Sequence, residues 1–277
     1  MWGKATIRLV KNNFQLRFEL MNLIINDYDP IASVFDEIMG EDFIAAVDDF
    51  RIAQLSNILA RKPLCRVLDL CCGTGLFLCR IAGLVKIDGI GIDLSAGQLE
   101  VASARVQAEV APARLVRGDI LSTDFPPDCD LVTINFDSLN HLRSLDEWKS
   151  IFAKAFNALI PGGSLAFDLN TPERLQSDWS VPEVIVKKNV TYLQVGLKAG
   201  CRNGCVTRKA HMIIFKRRGD LFERMSALVE HMAVPNDKIK DLLHQAGFSR
   251  VSWFFASREQ CKRLVFLKNR AFFLAQK

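Results

Sequence analysis

The stretch Arg66-Val-Leu-Asp-Leu-Cys-Cys-Gly-Thr-Gly75 constrains this chain more than any other. An apolar run, Val67, Leu68 and Leu70, stops at small residues, and a helical pattern of Leu76, Phe77, Leu78 and Ile81 begins at once. The reading is strand, tight loop, helix. Gly73 and Gly75 lack a Cβ, so the loop can take positive φ and a bound molecule can approach the main chain. The first turn of the following helix presents unpaired N–H groups, which suit the carboxylate or phosphate of a nucleotide-like ligand. A second apolar strand, Ile87-Asp-Gly-Ile-Gly-Ile-Asp93, ends in an acid about 20 residues past the loop, where doubly wound folds place a ribose-binding carboxylate.

Two cofactor classes share this layout. The dinucleotide fingerprint requires Gly-x-Gly-x-x-Gly, and from Gly73 the chain reads Gly-Thr-Gly-Leu-Phe-Leu, without the third glycine. Asp69 also precedes the loop, where it would repel a pyrophosphate but attract a cationic amino-acid group. Val67-Leu-Asp-Leu-Cys-Cys-Gly-Thr-Gly75 followed by Gly91-Ile-Asp-Leu-Ser95 resembles motif I and its sequel in class I S-adenosylmethionine-dependent methyltransferases. Val116-Arg-Gly-Asp-Ile120 resembles the adenine-contacting segment, Asp130-Leu-Val-Thr-Ile-Asn-Phe136 the fourth strand, and Leu159-Ile-Pro-Gly-Gly-Ser-Leu-Ala-Phe-Asp168 the turn and fifth strand. The resemblance covers roughly residues 65 to 170 in the expected order. It implies S-adenosyl-L-methionine as cofactor, S-adenosyl-L-homocysteine as product, and a cofactor site of Asp69, Cys71, Gly73, Thr74, Gly75, Asp93, Leu94, Ser95, Asp119, Ile120, Asn135 and Phe136. Cys71 stands where the family usually has its first glycine, a change expected to be tolerated if that residue keeps negative φ.

Around this core the resemblance implies an α/β, doubly wound, Rossmann-like seven-stranded sheet, with an N-terminal helical cap and an inserted antiparallel β meander. The expected organisation is an arm and cap over 1–62, a methyltransferase core over 63–182, the inserted sheet over 183–233, and a C-terminal part of the core over 234–277. Core strands are expected at 65–70, 87–92, 113–117, 129–136 and 163–169, with helices near 76–83, 96–107 and 145–160. Three β-rich stretches starting at Glu183, Val206 and Leu221 read as a three-stranded meander, a lid or a self-association surface. Asn236 to Gly247 reads as a helix with an Asn cap and a Gly stop, followed by a closing pair of strands at 248–255 and 261–267. Residues 1–26 read as an arm or a first helix.

Two side chains carry the expected chemistry. Tyr28, in Tyr28-Asp-Pro-Ile-Ala-Ser-Val-Phe-Asp36, matches a tyrosine that in part of the family reaches over the cofactor as a lid. His141, in Asn135-Phe-Asp-Ser-Leu-Asn-His141, stands just beyond the fourth strand. In small-molecule methyltransferases similar to sugar N,N-dimethyltransferases a histidine there faces the acceptor, and imidazole suits proton removal near neutral pH. Core packing for Tyr28 and loop packing for His141 are the competing readings. The expectation places them on opposite sides of the transferred methyl. Asn135 does not open an Asn-Pro-Pro-aromatic sequence, which argues against nucleic-acid-base and glutamine methylation.

A small-molecule acceptor methylated at nitrogen or oxygen is the reading these residues favour. The rivals are an RNA methyltransferase and a cyclase or binding protein that reuses the scaffold. The net charge is +5, with basic clusters at Lys209, Lys216, Arg217 and Arg218 and at Arg258, Lys262, Arg263, Lys268 and Arg270. Such clusters can hold an RNA backbone but more often solvate a face, and no aromatic-interleaved RNA module accompanies them. No apolar run reaches the roughly 18 residues needed to span a bilayer, and Lys4 and Arg8 interrupt any leader-like core. A cytoplasmic location without membrane contact, and a homodimer through the inserted sheet, are expected. Of eight cysteines, Cys201 and Cys205 alone have metal-like spacing; without a second pair nearby they read as a hairpin turn, and no metal is expected.

Overall fold

The computed structural model describes residues 25–256 and 267–277. A 3-10 turn (Asp29–Val34) leads into α1 (Phe35–Met39) and α2 (Glu41–Leu59). The core then alternates: β1 (Cys65–Leu70), α3 (Leu76–Ala82), β2 (Ile87–Asp93), α4 (Ala96–Ala108), β3 (Ala113–Arg117), β4 (Cys129–Ile134), α5 (Leu145–Ala158) and β5 (Leu159–Asn170). After α6 (Pro172–Ser177) come β6 (Glu183–Val186), β7 (Val190–Arg202), β8 (Cys205–Arg218) and β9 (Leu221–Ala233). α7 (Asn236–Gln245), β10 (Arg250–Phe255) and β11 (Arg270–Gln276) close the chain.

The main sheet has seven strands in the order β10-β11-β5-β4-β1-β2-β3, the five from β5 to β3 parallel and β11 antiparallel to both its neighbours. Helices on both faces explain why β1 and β4 are sealed: Val67, Leu68, Leu70, Leu131, Val132 and Ile134 are all buried, as near-continuous apolar strands of a covered parallel sheet must be. The strand order reverses between β1 and β4, and Asp69 and Thr133 stand in register there. Such a switch point opens a crevice at the carboxyl ends of the strands.

The inserted sheet has four antiparallel strands, β6-β7-β8-β9, rather than the expected three. The stretch from Glu183 divides at Lys187-Lys188-Asn189, where the Lys187 N–H turns back to the Val190 carbonyl. One face of this sheet packs Val190, Tyr192, Met212, Ile214 and Val229 against Ile31, Val34 and Ile38 of the N-terminal segment. Within β7 the register shifts after Gly196. A Cβ at that position would stand 1.8 Å from the Trp179 carbonyl oxygen, so only glycine lets that carbonyl approach and seats Trp179 against the sheet.

Other expectations shift. Asn236 begins α7 but caps nothing; Pro235 occupies the cap position, and Gly247 at φ +108° supplies the stop. A strand at Arg270–Gln276 ends the described residues; the strand expected at 261–267 and the arm or helix expected at 1–26 lie almost wholly outside them. Cys201 and Cys205 flank the β7–β8 hairpin, paired with Val206 and Arg202 respectively, so alternation sends their thiols to opposite faces. Among the described residues, no helix is long and apolar enough to cross a membrane.

Asn140 joins the two sheets. Its side chain is fully buried; Nδ2 donates to the Asn170 and Met232 carbonyls at 3.0 and 3.1 Å, and Oδ1 accepts the Asn170 N–H at 2.8 Å. Asn140→Ala strands three buried backbone groups, and urea denaturation should show a loss on the order of 3 kcal/mol; a loss under about 0.5 kcal/mol would mean the sheets are held by packing alone.

Candidate active site

Three strand ends build the site. β1 ends in Asp69, 1% exposed, whose Oδ1 accepts Thr133 Oγ1 at 2.7 Å and Asn135 Nδ2 at 3.0 Å. Burial pushes its carboxyl up to about 7, against the effect of those two hydrogen bonds and of Arg51. A buried carboxylate in that state is short of a cation. The loop that follows turns through left-handed residues: Cys71 at φ +56°, Gly73 at +55° and Gly75 at +72°. Cys71 therefore does not keep negative φ; the turn needs a left-handed residue where the family usually has glycine, and the cysteine bears strain of about 1 to 2 kcal/mol to hold it. Gly75 caps α3, and a Cβ there would meet Ala102 Cβ at 3.1 Å.

β2 ends in Asp93, which braces this loop: Oδ2 accepts the Gly73 N–H at 2.8 Å and Oδ1 the Ser95 N–H at 2.9 Å. The Leu94 backbone also bears on this carboxylate, which leaves part of its accepting capacity for a ligand. Burial raises its pKa despite those donors. Ser95 caps α4 by accepting the Gln98 N–H at 3.1 Å. Lys154 on α5 donates to the carbonyls of Ile120, Leu121 and Thr123, fixing the segment that carries Asp119 and Ile120.

Beyond β4, Phe136 and Asp137 both adopt φ +53°. Their N–H groups donate to the Asp168 carboxylate at 2.9 and 3.3 Å. Asp168 also takes Arg51 at 3.0 and 2.6 Å, and Arg270 in a short contact; burial alone would raise its pKa, but the two guanidiniums outweigh it and hold it low. The next turn carries His141, whose Nε2 lies 3.1 Å from Tyr28 Oη. Burial lowers the His141 pKa, partly offset by Asp137 and the Glu230 backbone, and burial with Asp137 raises the Tyr28 phenol. Both side chains are neutral near pH 7.

These ends enclose a cavity of about 650 Å³. Every residue singled out in the sequence except Gly75 lines it: Tyr28, Asp69, Cys71, Gly73, Thr74, Asp93, Leu94, Ser95, Asp119, Ile120, Asn135, Phe136 and His141. Tyr28 and His141 are hydrogen-bonded neighbours, not opposed walls, because the Asp29–Val34 turn docks on both α4 and β9. Sequence reasoning passed over the two acids that fasten this roof. Asp29 Oδ1 accepts the Gly97 N–H at 2.9 Å and Ser95 Oγ at 2.5 Å, and Asp36 accepts Thr74 Oγ1 at 2.9 Å and pairs with Arg105. Their presence in the Tyr28 segment was the available signal. For Arg51, Asp168 and Arg270 the sequence offered none.

Comparison with known proteins agrees with this geometry. Residues 67–163 match the family model described as Methyltransferase domain. The chain is 29% identical over 260 residues to Putative methyltransferase YqeM of Bacillus subtilis (strain 168), an alignment covering 90% of this chain and 97% of that protein. The fold matches an S-adenosylmethionine-dependent methyltransferase from Clostridium acetobutylicum ATCC 824 at TM-score 0.71, with 22% identity over 90% of this chain and 98% of that one. It matches S-adenosylmethionine-bound CalS10, an amino pentose methyltransferase from Micromonospora echinaspora involved in calicheamicin biosynthesis, at 0.62, with 20% identity over 92% and 98%. Residues 67–163 thus match a methyltransferase domain, and the fold is one shared with S-adenosylmethionine-dependent methyltransferases. The residues present fit S-adenosylmethionine as a cofactor: a buried carboxylate short of a cation, a left-handed loop open to close approach, and a second carboxylate at the end of β2.

Two outcomes follow for cofactor affinity. Asp93→Ala should weaken S-adenosylmethionine binding in calorimetry by roughly 2 to 4 kcal/mol, the scale of charge-assisted hydrogen bonds. Because a proton competes with a ligand cation for Asp69, affinity should fall about tenfold per pH unit below about 7, a slope that Asp69→Asn removes.

Proposed function

We propose that this chain transfers a methyl group from S-adenosylmethionine to a nitrogen or oxygen of a small-molecule acceptor. The observation that carries the reading is the hydrogen bond between Tyr28 and His141 on the wall of the cofactor-sized cavity. In this reading Asp69 holds the amino group of the cofactor, the Gly73–Gly75 loop its carboxylate, Asp93 its ribose hydroxyls, and Asp119 with Ile120 flank its adenine. When bound, the sulfonium supplies an already activated methyl donor, so the protein's part is to align the acceptor and exclude water.

The tautomer gives the pair a direction: with the ring proton of the neutral imidazole on Nδ1, Tyr28 Oη donates to His141 Nε2. The Oη lone pairs then face an acceptor O–H or N–H. A proton leaving the acceptor passes to Tyr28 as the phenol proton passes to His141. An amine can be attacked through its own lone pair and needs this step less than a hydroxyl does.

A cavity of about 650 Å³ is within the range of small-molecule sites, which run from about 300 to 1,000 Å³. The basic clusters support the same side. Lys209 lies 3.9 Å from Glu230, Arg218 pairs with Glu223 at 3.0 Å, and Arg217 donates to the Gly219 carbonyl. Arg270 is a buried partner of Asp168 and Asp137 rather than a surface cation. Arg258, Lys262 and Arg263 lie outside the described residues.

The test is mass-spectrometric tracking of labelled methyl from the cofactor into a metabolite extract and into total RNA. Label in a small molecule is expected; label in RNA alone sinks the reading, and cofactor binding without transfer favours the binding-protein rival. With the acceptor in hand, His141→Asn should cost about tenfold or less for an amine and on the order of 10² to 10⁴ for a hydroxyl. The neutral imidazole is the competent form and its pKa is lowered from 6.5, so at saturating S-adenosylmethionine, where the Asp69 effect on cofactor affinity drops out, kcat/KM for the acceptor should hold through pH 7 and fall only at a pH below 6.5. A limb centred above pH 7 would assign the titration to another group.

A further inference from the structure

The imidazole of His141 is soft about its last torsion, since rotation about an sp³–sp² bond is broad and roughly twofold. Turned over, the ring would present carbon instead of Nε2 to Tyr28 and lose the hydrogen bond at 3.1 Å. Its other nitrogen does not prevent that turn. Nδ1 forms no hydrogen bond among the described residues, and the Glu230 backbone is the smallest of the influences on the ring's charge. Packing must therefore set the plane of the ring.

Two rings flank it. Tyr28 stands at 78° to the imidazole with centroids 5.6 Å apart, and His231 of β9 stands at 83° and 4.4 Å. The row continues at both ends. Phe35 meets Tyr28 at 6.0 Å and 75°, and Trp179, which follows α6, lies 4.6 Å from His231 at 39°. Phe35, Tyr28, His141, His231 and Trp179 thus form one line from the N-terminal segment to the inserted sheet, mostly through the edge-to-face contacts that such rings prefer. His231 and Trp179 are buried, and the gap left by Gly196 seats Trp179.

His231 is itself fixed. Asn170 Nδ2 donates to Asp137 Oδ2 at 2.8 Å, which orients the amide, and the same nitrogen reaches His231 Nδ1 at 3.4 Å. An amide nitrogen only donates, so His231 Nδ1 accepts. The ring is neutral although Asp137 lies 3.7 Å away, because burial, His141, Arg270 and Arg174 all oppose a proton on it. On His141, by contrast, Asp137 favours one. A proton that reaches the two histidines rests on His141, and His231 contributes shape rather than charge.

We propose that His231 is a positioning residue: backed by Trp179, its ring holds the His141 imidazole in the plane that aims Nε2 at Tyr28. The inference rests on the reading of the Tyr28–His141 pair given above. It gives the inserted sheet a part in the chemistry through one side chain.

The experiment uses the full chain saturated with S-adenosylhomocysteine and labelled with nitrogen-15 at histidine. His141→Asn assigns the His141 resonances, and Tyr28→Phe marks where Nε2 falls without its phenol. His231→Ala should move the wild-type Nε2 resonance most of the way to the Tyr28→Phe position. His231→Phe keeps a neutral flat ring, adds one heavy atom to a side chain that lines a cavity of about 110 Å³, and should leave Nε2 at the wild-type position. Calorimetry should give the same S-adenosylhomocysteine affinity for the wild type and both His231 variants. With an acceptor in hand, His231→Ala should lower kcat by about tenfold to hundredfold at nearly constant KM, the cost of a small misplacement, and His231→Phe should restore it.

An Nε2 that keeps its wild-type position in His231→Ala overturns the proposal. Equal displacement in His231→Phe overturns it too, because the Asn170 contact rather than the ring would then be at work. If His231→Ala does not fold, Trp179→Leu takes its place with the same expected and overturning outcomes. The wild type separates the two levels. An Nε2 already at the Tyr28→Phe position strikes the Tyr28–His141 reading itself, whereas a wild-type bond that survives His231→Ala strikes the positioning role alone.

Discussion

A carboxylate sealed from water is tolerated only where charge and N–H groups surround it, and Asp168 at the end of β5 is such a carboxylate. Arg51 from α2 and Arg270 from β11 flank it, and the N–H groups of Phe136 and Asp137 complete its coordination. Those two residues are left-handed, a conformation that costs each of them energy and that the Asp168 contacts hold in place. Everything chemically interesting hangs on that bend. It turns Phe136 into the large cavity, gives Asp137 to Arg270, and sets the direction of the short turn that ends in His141.

The site is thus a junction of three layers. The main sheet supplies the carboxylates at its strand ends, the N-terminal segment supplies Tyr28 with the Asp29 and Asp36 fastenings, and the inserted sheet supplies His231 behind His141. Asn140, wholly buried between β5 and β9, ties the main sheet to the inserted one. The fold alone is shared by proteins of many substrates, and what distinguishes this one is the polar lining at the junction.

What could be read in the sequence follows the range of the forces involved. Strands β1 to β5 were legible within a few residues, except for the earlier start of β5, because a doubly covered parallel sheet needs apolar runs and the acids at their ends break those runs sharply. The residues that line the large cavity were legible for the same reason: Asp69, Gly73 and Asp93 are local punctuation. The division of β6 from β7 is hidden because Lys187 and Lys188 are compatible with a continuous edge strand. Strand β11 is hidden because Ala271-Phe-Phe-Leu-Ala275 is short and stands just after another apolar candidate, 261–267. Arg270 reads as part of a surface cluster, as its residue type suggests. Its burial depends on Asp168, 102 positions earlier, and no local pattern reports that pairing. Negative φ is the ordinary expectation for Cys71, because its local sequence is silent on which residue must turn.

The place of β11 bears on how the protein is made. It lies between β5 and β10, so β5 remains an open edge until a segment synthesised about a hundred residues later is inserted beside it. Until then Asp168 has only one of its two guanidiniums, and a row of unpaired backbone groups on β5 is free to recruit strands from other nascent chains. A chain stalled before Arg270 would carry the whole left-handed loop after β1 and still lack a settled core, which ties a complete site to the passage of this strand out of the ribosome.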